Sequence, residues 1–103
     1  MIDIRDKDHK SLCNIANECF TTAIEIWAYG SRVNGESHDA SDLDIVIRTV
    51  DFTPLAINEF VDFKEQLQAS NIPIIIQVMD WNRIPKSFHG NILKNHKVIY
   101  STL

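Results

Sequence analysis

The sequence predicts an α+β fold, a small mixed β-sheet with helices packed on it. Three observations carry this. Segments with a helical apolar period alternate with strand-like segments, in the order α-β-loop-β-α-β-α. The first two strand segments are joined by a loop too short for a crossover, which makes them antiparallel neighbours. A β-branched run, Ile74-Ile75-Ile76-Gln77-Val78-Met79, reads as a central strand covered on both faces.

Composition sets the outer bounds. A chain of 103 residues fits one domain, 1–103. A chain of this size buries roughly two thirds of its unfolded surface, enough for one core. Hydrophobic residues at 45% and charged residues at 23% are ordinary globular values and argue against disorder. The net charge of −4 disfavours a general nucleic-acid binder, yet leaves room for a nucleotide whose charge a metal offsets. The two cysteines, Cys13 and Cys19, lie on one helical segment and read as reduced thiols of a cytoplasmic protein. The charged start, MIDIRDKDHK, has no apolar signal core, and the longest apolar run, Ile72 to Met79, is too short to span a membrane.

Residues 8–23 read as an amphipathic helix, with Leu12, Ile15, Ala16, Cys19 and Ala23 on one stripe and Asp6 or Asp8 as cap. Residues 24–29 alternate as a strand, Ile24, Ile26 and Ala28 on one face, Glu25, Trp27 and Tyr29 on the other. Residues 30–40 form a loop. Residues 42–48 are the second strand, with Asp42, Asp44, Val46 and Arg48 on one face. Thr53-Pro54 starts a helix that runs to about Ala69, with Thr as cap and Pro at the first helical position. After the 74–79 strand and a turn, Ile84, Phe88 and Ile92 give the period of a last helix over 85–95, which Gly90 weakens. Val98–Tyr100 adds a short edge strand. Trp81 and Phe88 read as core aromatics, with a partner interface as the alternative for aromatics near the C-terminus.

The chemistry concentrates in residues 27–47, WAYGSRVNGESHDASDLDIVI. Asp42 and Asp44, at i and i+2 heading a strand, point to the same side of the sheet. Two anionic oxygen donors so placed suit Mg²⁺. The Gly30-Ser31 turn offers backbone N–H groups and a hydroxyl, which suit a phosphate. Antiparallel pairing brings Gly30 and the two aspartates to one end of the sheet. Asn34-Gly35 and Ser41-Asp42 taken singly are ordinary turn and cap chemistry. It is the constellation, Gly30-Ser31, ten residues, then Asp-x-Asp between apolar strands, that points to a metal-bound polyphosphate.

On those residues the chain resembles the minimal nucleotidyltransferases, which share the nucleotidyltransferase core of DNA polymerase β. Gly30-Ser31-Arg32-x-x-Gly35 and Ser41-Asp42-Leu43-Asp44 match their GS-x10-DxD signature, and the likeness runs from the first helix to about Trp81. Close relatives are the antitoxin halves of HEPN–MNT toxin–antitoxin pairs, which transfer AMP from ATP to a tyrosine of the HEPN toxin, a small helical ribonuclease. The resemblance implies a polymerase β palm-like core. It implies that Gly30, Ser31, Arg32 and Ser41 bind the nucleotide, and that Asp42 and Asp44 are catalytic and hold Mg²⁺.

The chain departs from the family at one position. Active members carry a third carboxylate on the following core strand, in a pattern resembling V-D-L-(V/L)-D-W. Here Ile76-Gln77-Val78-Met79-Asp80-Trp81 puts Gln77 in that slot. A glutamine amide offers a neutral oxygen but no negative charge, and it is no general base. Asp80 lies on the opposite face by strand parity.

Two readings follow. The first is an antitoxin that transfers AMP from ATP to a HEPN partner in a Mg²⁺-dependent reaction. The second is a catalytically weakened or inactive subunit of the same fold that binds nucleotide and neutralises its partner by contact. No acceptor-binding helical domain, as in antibiotic-modifying relatives, is legible in the sequence, which favours a protein acceptor over a small molecule. His9, His38, His89 and His96 show no metal-ligand spacing. No Walker A or dinucleotide-binding glycine motif is present, and a nucleotide-sugar enzyme with a similar Asp-x-Asp needs a larger domain.

Overall fold

The apolar faces of the strand segments set the layering. The computed structural model describes residues 4–30, 42–49 and 53–102. In chain order these form α1 (Asp6–Cys19), β1 (Ile24–Tyr29), β2 (Leu43–Thr49), α2 (Ile57–Ala69), β3 (Ile76–Asp80), α3 (Lys86–Lys94) and β4 (His96–Ser101). The sheet order is β3-β2-β1-β4. β1 pairs antiparallel with both β2 and β4, and β2 pairs parallel with β3, so the sheet is mixed as expected.

One face of the sheet is sealed. Ile24, Ile26, Leu43, Ile45 and Ile47 are fully buried there against Leu12 and Ala16 of α1 and Phe63 and Leu67 of α2. Each such side chain contributes about 1.5–3 kcal/mol through loss of apolar surface to water. The other face carries a smaller cluster, Trp27, Val46, Trp81 and Ile92, covered by α3. Between Ile26 and Trp27 the β1–β4 register shifts, and the extra residue is Ile99 of β4. The carbonyl this bulge frees is taken up by α1: Cys13 Sγ donates to it at 3.4 Å and His9 Nε2 lies 2.6 Å away.

Four expectations are corrected. The first helix runs 6–19 rather than 8–23. It ends at Cys19 because Phe20 is extended, and no side chain caps it, since the Asp8 carboxylate is paired with Arg5 at 2.9 Å. The second helix begins at Ile57 rather than at Thr53-Pro54. The reason is long-range: Thr49 Oγ1 and Asn82 Nδ2 donate to the Thr53 carbonyl, and the Leu55 N–H is committed to Asp80. The third strand is an edge strand, not a central one, with Ile75 beside it 65% exposed. Phe88 is not core; it is 47% exposed on α3. Gly90 is tolerated inside α3, where a Cβ would meet open space. Both cysteines are free thiols, and no helix among the described residues is long and apolar enough to cross a membrane.

Candidate active site

The sheet register assembles the site. β1 delivers Tyr29 opposite Asp44 of β2, and β3 delivers Gln77 beside Asp44 on the other flank. Residues paired across a ladder share a face. Tyr29, Asp44 and Gln77 therefore stand in a row across three strands, with Asp42 two residues before Asp44 on the same side. Gln77 Nε2 donates to Asp42 Oδ2 at 3.3 Å. The strand parity read from the sequence thus brings Gln77 to the two aspartates.

Gly30 closes the other side of the site. Its φ is +83°, a left-handed conformation that favours glycine. A Cβ there would lie 2.5 Å from Asp44 Oδ2. Any other residue would displace that carboxylate, so the glycine is needed twice, for the turn and for the close approach. Ser31, Arg32, Asn34, Gly35, His38 and Ser41 lie outside the described residues.

The electrostatics centre on Asp44, a half-buried carboxylate with a like charge beside it. Burial, and then the like charge of Asp42, hold the Asp44 carboxyl above its ordinary range. Burial, and then Asp44, push the Tyr29 phenol up as well. A bound cation relieves both penalties on Asp44. Two carboxylates and a carboxamide oxygen are hard oxygen ligands, which fit Mg²⁺. Among the described residues no three His, Cys, Asp or Glu side chains converge as a metal cluster, consistent with a glutamine in the third position.

Asp80 is elsewhere and otherwise engaged. It is 3% exposed. Its Oδ2 accepts from the Leu55 N–H and from Arg83 Nε, both at 3.0 Å, and its Oδ1 accepts from the Asn82 N–H at 3.0 Å. Arg83 also donates to the Leu55 carbonyl at 2.9 Å. Asp80 fastens the end of β3 to the segment before α2 and holds no position facing Asp42 and Asp44. Arg48, on the same face of β2 as Asp44, lies over the Trp27 and Trp81 rings, 5.1 and 5.5 Å from their centroids.

A model of the polymerase β nucleotidyltransferase family matches residues 11–102. The chain belongs to that family. A relative from Haemophilus influenzae, described as a probable protein adenylyltransferase MntA, is 34% identical over 72% of this chain and 63% of its own length. The chain thus spans less than two thirds of that relative. Among solved structures, a toxin–antitoxin with AMP-PNP superposes with a TM-score of 0.74 at 17% identity, covering 91% of this chain and 73% of the other. A complex of a tri-AMPylated Shewanella oneidensis HEPN toxin with MNT antitoxin superposes with a TM-score of 0.69 at 13% identity, covering 96% of this chain and 74% of the other. At these identities the structural likeness establishes the nucleotidyltransferase fold.

Sequence reading missed one feature beside this site. A cleft of about 310 Å³ opens between Gly30 and α3, lined by Tyr29, Gly30, Phe88, Asn91, Ile92 and Asn95. Part of the signal is present in the sequence: Phe88, Asn91 and Ile92 fall at i, i+3 and i+4, one stripe of α3, while Asn95 is its extended C-cap residue. A polar Asn91 beside the buried Ile92 marks a face that is not all core.

Proposed function

We propose that the protein is a minimal nucleotidyltransferase-type antitoxin that transfers AMP from ATP to a HEPN-type toxin in the cytoplasm, acting as a single domain and at a rate limited by Gln77. The observation that supports this best is the row Tyr29–Asp44–Gln77, with Asp42 alongside and the Gly30 turn packed against Asp44. In this reading the Gly30 backbone and Ser31 hold the triphosphate, Arg32 and Ser41 add contacts to it, and Asp42 and Asp44 hold Mg²⁺. When bound, Mg²⁺ offsets the negative charge that builds as pyrophosphate leaves. The acceptor hydroxyl oxygen bonds to the α-phosphorus as the α–β phosphoanhydride bond breaks, pyrophosphate leaves, and the hydroxyl proton passes to water.

Gln77 is where this chain's chemistry is weakest. Its amide, bonded to Asp42, steadies that carboxylate but adds no negative charge and accepts no proton from the nucleophile. The same bond favours a second reading, a subunit that binds nucleotide and neutralises its partner by contact alone. Coexpression with a HEPN-type toxin, followed by intact mass spectrometry of that toxin, separates the two. An AMP adduct that disappears with Asp42→Ala supports transfer. Neutralisation of the toxin without any adduct overturns transfer in favour of contact.

A further inference from the structure

We infer that the free edge of β3 is a self-association surface, and that a second copy of this chain pairs with it antiparallel about a two-fold axis through Gln77. The sheet leaves this edge open. β3 ends the order β3-β2-β1-β4, and its pairing with β2 runs in unbroken register. In that ladder the Leu43 N–H donates to the Ile75 carbonyl at 2.9 Å, and the Trp81 N–H donates to the Ile47 carbonyl at 3.0 Å. Odd-numbered residues of β3 thus bond toward β2. The N–H and C=O of Ile76 and Val78 point the other way, where no strand lies among the described residues. Such an edge is a template for another strand unless a lysine, a proline or a bulge blunts it. The opposite edge is blunted, because β4 carries the exposed Lys97 and the bulge at Ile99. From Ile75 to Asp80 there is no lysine, proline or bulge. Ile75 is 65% exposed and Met79 37%, and the single charge of the strand, Asp80, is buried and held by Leu55 and Arg83.

The edge is its own complement, which is why the occupant is a second copy. Antiparallel pairing about Gln77 sets Ile75 opposite Met79 of the second copy and Ile76 opposite Val78 of the second copy, and symmetry repeats both relations. The two exposed apolar side chains of this edge then cover each other on one face, and on the other face apolar meets apolar. Backbone polarity agrees with this register. Ile76 and Val78, whose N–H and C=O point outward, form the hydrogen-bonded pairs, and Gln77 falls at the non-hydrogen-bonded centre between them. No charged side chain of the strand is exposed, so none meets its own copy. An apolar cleft of about 330 Å³ beside the start of the strand, with Leu67, Ile72, Ile74 and Ile76 in its wall, extends the surface to be covered. A five-residue strand pair buries less than the about 800 Å² per partner of a stable interface, so the dimer is of micromolar rather than nanomolar strength. The axis stands perpendicular to the sheet, so both rows Tyr29–Asp44–Gln77 open on the same side. Pairing depends on the sheet alone and holds whether or not the site transfers AMP.

Sedimentation velocity of the full chain over a range of micromolar concentrations tests this. The wild type should pass reversibly from monomer to dimer as concentration rises. Ile75→Lys and, separately, Met79→Glu should each weaken the dimer about tenfold, since each removes an apolar cross-strand pair twice over. Both side chains are exposed, so the fold tolerates the changes. The double variant, Ile75→Lys with Met79→Glu, should recover the dimer, because the introduced charges of opposite sign then face each other across the axis. Gln77→Cys should give a disulfide-linked dimer on mild oxidation, because the non-hydrogen-bonded centre brings the two chains close enough there, and the wild type with Cys13 and Cys19 should not. A wild type that stays monomeric, or a dimer indifferent to Ile75→Lys and Met79→Glu, overturns the pairing. A monomeric wild type that loses toxin binding in Ile75→Lys gives the edge to that protein partner and overturns it equally. A dimer that the double variant fails to restore, or that Gln77→Cys fails to crosslink, overturns the Gln77 axis.

Discussion

Asp44 and Asp80 head and close neighbouring strands, and the sheet treats them in opposite ways. Asp80 points to the sealed face and is saturated: two backbone N–H groups and the Arg83 guanidinium meet its oxygens. Asp44 points to the half-covered face, partly buried, with Asp42 as its charged neighbour and no donor to its carboxylate among the described residues. A carboxylate whose valences are filled by the protein is part of the scaffold. One that the protein desolvates without filling them is kept for something else. The same rule separates the two faces of the sheet, one closed by α1 and α2, the other left with Gln77, Met79 and Phe88 exposed.

The largest expected effect tests the functional side of that contrast. Asp42→Ala or Asp44→Ala should lower AMP transfer about 100-fold or more, equivalent to the several kcal/mol that a metal clamp supplies. Thermal unfolding should show the fold intact in both. Asp80→Ala should do the reverse. Leaving the Leu55 and Asn82 N–H groups without their acceptor should cost about 3 kcal/mol of stability by chemical denaturation. Transfer per folded molecule should stay near the wild-type value. If Asp80→Ala abolished transfer in folded protein, the division of labour would be wrong.

Gln77→Asp sharpens the comparison by giving Asp44 a second charged neighbour besides Asp42. It should strengthen Mg²⁺ binding and raise transfer about tenfold, as addition of an anionic ligand to a metal site should. The smallest effect is on stability. Because burial and Asp42 hold the Asp44 carboxyl high in the folded chain, ionising it costs more there than in the unfolded chain. Its contribution therefore grows less favourable as pH rises from the unfolded carboxyl range through the raised folded value. Asp44→Asn should thus melt slightly higher than wild type at pH 7 without Mg²⁺, and the difference should vanish in acid, where both states are protonated. Excess Mg²⁺ should stabilise the wild type and not the variant.

Much of this is legible in the amino-acid sequence, and for physical reasons. The loose alternation of Ile-Glu-Ile-Trp-Ala-Tyr is enough to mark β1 at Ile24–Tyr29, and the GS-x10-DxD spacing points to the candidate site. Parity alone assigns Gln77 and Asp80 to opposite faces, because the side-chain period of a strand is two. What escapes the sequence is whatever depends on a distant partner. Thr53-Pro54 carries a good local start signal, but Asp80, 25 residues on from Leu55, holds the Leu55 N–H. The run 74–79 looks central because it is apolar, yet its place at the sheet edge is set by which strands β2 and β1 pair with. Phe88 looks like core because periodicity reports a helical face and not what covers it.

The central claim is that this site is a nucleotidyltransferase lacking one anion, and transfer rates with labelled ATP test it most directly. Wild type, Gln77→Asp and Asp42→Ala should be compared on the same toxin partner. The account predicts slow, Mg²⁺-dependent labelling by the wild type, about tenfold faster labelling by Gln77→Asp, and none by Asp42→Ala. A Gln77→Asp variant no faster than wild type, or labelling that survives Asp42→Ala, would contradict it.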